Sequence, residues 1–548
     1  LTSTGSGVAF EDAGGGPTFK EVGTNFANSL MVGADSTGTL NAAEKNTGLG
    51  IGVFAALTSG DANTVIGFDA GKSITTGGQN VLIGQGTGDS ITTGQTNIAI
   101  GQASLVALVD DDGNVAVGDN TMQFSTDAQN NVAVGQDAGR RIVGTENVAI
   151  GKGSMITAGD KDNNTAVGAS SLALLTTGDN NTAVGHLALT TNTTGQGEAF
   201  GANALTAQTT GSENQAFGLN ALAACTTGTS NVAVGKGAFQ ALTTGSDSVA
   251  IGRGAGDAVT TAASNTFVGS QAGGANTSGS SNVAVGAAAL TTNTSGTGNI
   301  AVGVGCLRLN TTAGEVTGVG DGCLAANTSG ASNDAFGAQT LAGCTTGSAN
   351  VGLGGYSLND VTTGIQNTAA GNNAGSVTTT GDNNLFLGFQ AGTNSSPGHV
   401  VGGDNHIVLG NNSITNALIK VDWTVTSDSR DKTDVADFDL GLAFVNSLAP
   451  KKYKWDMRSD YSDDLSVTPD GTHKKPQVIA GLIAQDVETL ERAAGYKVEE
   501  QTNILVSKDE QGNYGLQYAK LIPILINALQ EADDKIDALT ARVTTLEG

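Results

Sequence analysis

The sequence predicts a mostly β protein: a parallel β-solenoid or β-roll shaft of 17-residue coils, then a small α+β domain ending in a coiled-coil helix. Three observations carry this prediction. A glycine returns every 17 residues inside one short phrase over most of the chain. Proline, which would remove ladder hydrogen bonds, is absent between Pro17 and Pro397. Composition then changes near residue 426. Before Ser427 there are 11 Lys and Arg and 29 Asp and Glu; the last 122 residues hold 14 and 22. A sparsely charged repeat and a conventional mixed domain are different kinds of object.

The repeated phrase reads N-x-A-[V/I/F]-G-x-x-A-L-x-x-x-T-T-G, as in Asn164–Gly178. Its central glycine runs from Gly33 to Gly388 in 22 units, with only two 16-residue steps, Gly135 to Gly151 and Gly185 to Gly201. So strict a period specifies stacked coils in which each slot forms a ladder. Three slots are expected to build a narrow core of β-branched and Leu rows. They are the residue before the glycine (Ile66, Val117, Ile251), the Ala two before it, and the large residue four after it (Leu105, Leu172, Leu290). Glycine permits positive φ at each corner, and Asn four before it (Asn63, Asn97, Asn164) can satisfy turn backbone groups. At ~4.8 Å between strands, 22 coils predict a rod on the order of 100 Å long.

The expected divisions are a lead-in segment over 1–32, the shaft over 33–392, a neck over 393–426 and a terminal domain over 427–548. The neck holds Pro397 and a strand-like stretch, Ile419–Trp423. The chain begins at Leu1 rather than Met, so an upstream segment is expected. No run of 18 apolar residues is present, so no transmembrane helix and no membrane insertion are expected.

Net charge is −26, with −18 before Ser427 and −8 after it. That balance argues against nucleic acid as a partner, because phosphate binding needs Lys and Arg surfaces. Cys306 and Cys323 share one repeat slot, and Cys225 and Cys344 share another. They read as small interior residues rather than a disulfide frame, in keeping with synthesis in a reducing cytoplasm. No cofactor is expected, and no metal: Asp110–Asp112 lacks the full ligand spacing of a calcium loop. Aromatics are 4% of residues and carboxylates do not recur in pairs, which weakens a glycosidase reading. The repeated Thr-Thr-Gly (Thr92, Thr176, Thr243) has two readings, a flat threonine ladder that binds ice or a regular glycan, or a polar turn.

Phrases such as Asn147–Gly151 (NVAIG) and Ser248–Gly252 (SVAIG) resemble the head repeats of trimeric autotransporter adhesins. That resemblance implies a trimer of parallel β-rolls, with longer units here.

Three blocks mark the terminal domain. The first is S-D-x-R-x-K at Ser427, Asp428, Arg430 and Lys432. The second is Ala480–Glu488, AGLIAQDVE, which includes Gln485. The third runs from Tyr518 through Leu521-Ile-Pro-Ile-Leu525 into a helix. In that helix Ile522, Leu525, Leu529, Ala532, Ile536, Leu539, Val543 and Leu546 form a heptad seam over 521–547. Pattern alone leaves dimer and trimer open. His473 is expected in a surface loop.

Together the blocks resemble the C-terminal intramolecular chaperone and auto-processing domain of phage tailspikes, tail fibres and endosialidases. The resemblance implies a trimer and a Ser/Lys dyad acting once, in cis. Ser427 attacks the carbonyl of Thr426 and Lys432 takes its proton, with Asp428, Arg430 and Gln485 in support. Without the resemblance, Ser427 and Asp428 read simply as turn and cap residues. Asp431 beside Lys432 is expected to hold the lysine in its charged form and slow the cut. The function expected is a phage tail fibre or virion appendage, made in the host cytoplasm. It would be a homotrimer joined to other virion proteins through its N-terminal side and bound to a host-surface receptor, a glycan or envelope component. The alternatives are a bacterial surface adhesin or structural fibre, a polysaccharide depolymerase and an ice-binding solenoid.

Overall fold

The computed structural model describes residues 28–33, 39–157, 159, 161–420, 424–462, 466–509 and 512–548, and the strands Thr2–Thr4, Gly7–Ala9 and Phe19–Glu21. Val421, Asp422 and Trp423, in the strand-like stretch of the neck, lie outside these residues. The chain forms two compact units, Leu1–Asn350 and Val351–Gly548.

In the first unit a parallel ladder of three- and four-residue strands runs from Leu30–Val32 to Asp334–Phe336. Each strand is the segment just before a repeat glycine, paired in register with its counterpart one coil on: Ala166 faces Ala183, and Val167 faces Val184. The 16-residue steps leave the register intact, with Val132 opposite Val148 and Thr182 opposite Glu198. One residue is dropped outside these strands, so their pairing is unchanged.

The core is formed by alternate residues of each strand. The residue two before the glycine is fully buried (Ala99, Ala166, Phe267), as are those four and seven after it (Leu172 and Leu175). The residue just before the glycine points outward, contrary to the expected β-branched core row; Ile251 is 41% exposed and Phe200 38%. Successive strand residues face opposite sides, so two neighbours cannot both line one core. Filling the core falls to the Ala row and the Leu rows.

Two slots exchange volume. In most coils a small residue two before the glycine goes with a large one four after it, as with Ala166 and Leu172. Where the residue two before is Leu82 or Phe267, glycine takes the other slot at Gly88 and Gly273. At Ala250 and Gly256 both are small, and Phe239 and Phe267 of the flanking coils fill the room. Leu172, Leu205, Leu222 and Leu290 have φ of 47 to 53°, a left-handed conformation that a large side chain rarely adopts. It turns each Leu into the core at the corner, and its N–H is kept by the next coil, Leu172 N donating to Ala188 O.

Buried asparagines bind coil to coil. Asn164 Oδ1 accepts from the Asn181 backbone N–H (2.9 Å) and from Asn181 Nδ2 (3.1 Å). The same pattern runs from Asn46 through Asn97 and Asn131. At Gly197 the side chain is missing, and Asn192 enters from another corner to reach Asn181 Oδ1 at 3.0 Å. The threonine eight after the glycine donates its hydroxyl to the next coil's backbone, as Thr243 does to Thr260 O at 3.0 Å. A hydroxyl so engaged supports the polar-turn reading of that row.

All four cysteines are buried and free. Burial pushes the Cys225 thiol up to about 11 and that of Cys344 to about 12. Cys306 is raised further, first by its hydrogen bond with Cys323 and then by burial. Asp111 and Asp112 accept from the backbone N–H groups of Ala128 and Gln95 in neighbouring coils.

The second unit holds the strands Val351–Leu353, Thr368–Ala370 and Leu385–Leu387, and one more beyond the repeat. Ile407–Leu409 pairs in parallel with Leu385–Leu387 after a 22-residue step through Pro397. The terminal domain follows with helix α1 (Leu442–Ser447), hairpin Lys451–Tyr453 with Ile479–Gly481, helix α2 (Ala484–Ala493), hairpin Val506–Lys508 with Tyr514–Leu516, and helix α3 (Leu521–Glu547). Its core is Leu440, Phe444, Val487, Leu505, Val506 and Ile524.

Candidate functional site

The first block of the terminal domain folds as a tight turn. Asp428 is its N-cap, with Oδ1 accepting from Arg430 N at 2.9 Å. A 3-10 turn follows over Ser429–Asp431, closed by Lys432 N donating to Ser429 O at 3.3 Å. A short polar side chain suits the cap because it satisfies an N–H that the turn leaves open. Arg430 grips the same carboxylate through Nε and Nη2, the latter at 2.6 Å. That guanidinium, with the backbone hydrogen bond, holds the Asp428 carboxyl below its ordinary range.

The turn reverses the chain and returns Lys432 to Ser427. Lys432 Nζ lies 2.6 Å from Ser427 Oγ and 3.4 Å from Ser427 O. Ser427 Oγ is one residue from the Thr426 carbonyl along the chain, and Thr426, Ser427 and Lys432 are all solvent-exposed. A serine hydroxyl in hydrogen-bond contact with an amine is the constellation of a nucleophile and its base.

Of the residues singled out in the sequence, the structure brings together Ser427 with Lys432 and Asp428 with Arg430. Gln485 stands apart from them on the exposed side of α2, its carbonyl accepting from Thr489 Oγ1. Among the described residues its side chain makes no hydrogen bond to Ser427 or Lys432. His473 lies exposed in a turn, its ring edge-on to Tyr461 with centroids 4.6 Å apart.

Three supporting residues were not foreseen. Glu491, 1% exposed, accepts the backbone N–H groups of Ile504, Leu505 and Val506 and so anchors the second hairpin. It lies one turn after buried Val487 on α2, and a carboxylate at that spacing on an apolar face was the available signal. Asn527 of α3 donates to Phe438 O and Leu440 O, and Glu531 accepts from Leu442 N. Gly441 leaves room for the Glu531 carboxylate, which a Cβ there would push aside.

Helix α3 has two faces. Ile524 and Ala528 are buried in the domain core. Ile522, Leu529, Ile536, Leu539, Val543 and Leu546, on the predicted seam, are all exposed, Leu529 by 72%.

Residues 427–496 match the family described as the chaperone of endosialidase. The match begins at Ser427 itself and spans the first two blocks; the third lies beyond it. No curated protein and no solved structure matches the chain. Beginning with its Ser/Lys turn, therefore, the chain carries a chaperone-of-endosialidase domain that follows a β-solenoid of 17-residue coils.

Proposed function

We propose that the protein is a phage tail fibre or tailspike-like appendage that reaches or binds the host surface. Three copies are registered by the terminal domain, which then cleaves itself off between Thr426 and Ser427. The observation that carries this reading is the 2.6 Å contact between Lys432 Nζ and Ser427 Oγ at the first residue of the family match.

In the proposed reaction the neutral Lys432 amine accepts the Ser427 hydroxyl proton. Oγ adds to the Thr426 carbonyl carbon, and the Ser427 nitrogen departs with a proton, leaving an ester between Thr426 and Oγ. Water then hydrolyses that ester to a Thr426 carboxylate and a free Ser427 hydroxyl and amine. Lysine acts as a base only in its uncharged form, which covering the site from water favours. The exposed seam of α3 supports the assembly, because a helix with such an apolar stripe buries it against further helices. Holding copies in register offsets the loop-closure cost and the slow formation of non-local strand pairs in so repetitive a shaft.

Intact mass of the purified protein, beside Ser427→Ala and Lys432→Met, tests the reading. Two pieces divided after Thr426 from the parent, and one chain of 54.3 kDa from each variant, are expected. A single uncut species from all three removes the processing step.

A further inference from the structure

We infer that the shaft carries its own assembly surface: the outward apolar row just before each repeat glycine packs against the same row of another copy of this chain, in register. This rests on the proposed multi-copy assembly and names the face it uses.

From Val32 to Phe336 every residue of this row is Val, Ile, Leu or Phe. Many are well exposed, among them Leu49 (49%), Ile100, Ile251 and Phe336. The Phe200 and Phe217 rings stack with centroids 4.8 Å apart and planes 5° apart, so the row rises at strand spacing. Over the first unit it extends on the order of 85 Å. It offers on the order of 1,000 Å² of apolar surface, above the few hundred Å² usual on a monomer. That is near the ~800 Å² per partner of a stable interface.

A solvated face of this solenoid looks different. The row just after the glycine carries Gln85, Lys152, Lys236, Arg253 and Asp321 among its exposed residues. The row three before the glycine admits Glu198, Gln215 and Asp334, all exposed. Polar residues therefore enter both flanking rows and never the central one. The flanks read as the rim and the central row as the dry middle.

The occupant must be as long as the row and share its repeat, and a second copy of this chain meets both requirements. Charge points the same way. The chain carries −18 before Ser427, and the carboxylates there lie off the central row. Copies thus avoid like-charge contact when they meet there. A parallel arrangement in register brings each residue of the row beside its own counterpart at every coil.

The test uses the full chain in a Ser427→Ala background, so that each copy has one mass. Cysteine is placed in the row at two distant coils, Ile100→Cys and Val285→Cys, and away from it at Thr93→Cys and Ser278→Cys. The native thiols are buried and serve as the unreactive background. A bismaleimide spanning about 10 Å, the distance between packed sheets, is added. Both row variants should cross-link to multiples of the chain mass, with at least tenfold less product from the other two. A chain that is multimeric by native mass but cross-links equally at all four positions, or at none, places the interface elsewhere. That result leaves assembly through α3 standing. Cross-linking at one row position alone overturns the in-register arrangement. A chain that is a single copy by native mass overturns both this inference and the assembly on which it rests.

Discussion

The Phe267 ring occupies the space that a side chain at Gly273 would need: a Cβ added there would lie 2.7 Å from the ring. Gly273 has a φ of 60°, close to the 53° of Leu290 in the same slot one coil later. The two slots are thus two routes to one filled core. Phe267→Ala should destabilise the shaft by about 3–5 kcal/mol through the cavity it leaves. Gly273→Leu alone should also destabilise it, by overpacking. The double variant Phe267→Ala with Gly273→Leu should recover most of the loss, a strongly non-additive cycle read by denaturant unfolding.

The asparagine ladder makes a graded prediction. Asn164→Leu leaves the Asn181 backbone N–H without its acceptor and should cost about 1–3 kcal/mol. Asn164→Ser should cost less, because Ser248 fills the same slot and accepts from Asn265 N at 3.1 Å. Equal losses in chemical denaturation would mean that the amide does more than supply an acceptor.

At the corner, Gly168 combines a φ of +136° with a close approach. A Cβ there would lie 2.5 Å from the Gly185 carbonyl oxygen. Gly168→Ala must strain the backbone by about 1–3 kcal/mol and also part the two coils. Amide exchange across Thr165–Val167 and Thr182–Val184 should accelerate, while distant coils keep their protection.

The last strand of the parallel ladder, Ile407–Leu409, should be sensitive to acid. His399 lies in the insertion that leads to Ile407–Leu409, with Nδ1 buried and lacking a hydrogen-bond partner among the described residues. Burial lowers its pKa below 6.5, opposed more weakly by Asp509. The unfolded segment therefore takes up a proton before the folded one. Stability is fully present above about pH 6.5 and falls as the pH drops below that. Exchange at Ile407–Leu409, corrected for its intrinsic rate, should rise between pH 7.5 and 5.5. His399→Gln should flatten that dependence.

Much of the fold was legible because a 17-residue period leaves little choice but stacked coils. The parity of the strands was harder to see. Ile66 and Val65 are both apolar, and only the position of the corner decides which faces inward. The left-handed Leu172 had no signal, since its conformation is imposed by bonds to the next coil rather than by local preference. The strand Ile407–Leu409 escaped notice because its 22-residue step breaks the period. At the candidate site the residue types were readable, but the return of Lys432 to Ser427 depends on a three-residue turn whose closure no pattern announces. Glu491 and Glu531 act on backbone groups far along the chain, and such partners leave no mark in local sequence.

The exchange of volume between slots also bears on how the shaft avoids a folding error. Phe239 and Phe267 belong to coils separated by one other, and their rings meet at 6.1 Å across the gap left by Gly256. If that intervening coil were looped out and its neighbours stacked directly, two large rings would compete for the room of one. Coils that look interchangeable in sequence therefore carry individual shapes, and a skipped coil is penalised where it occurs.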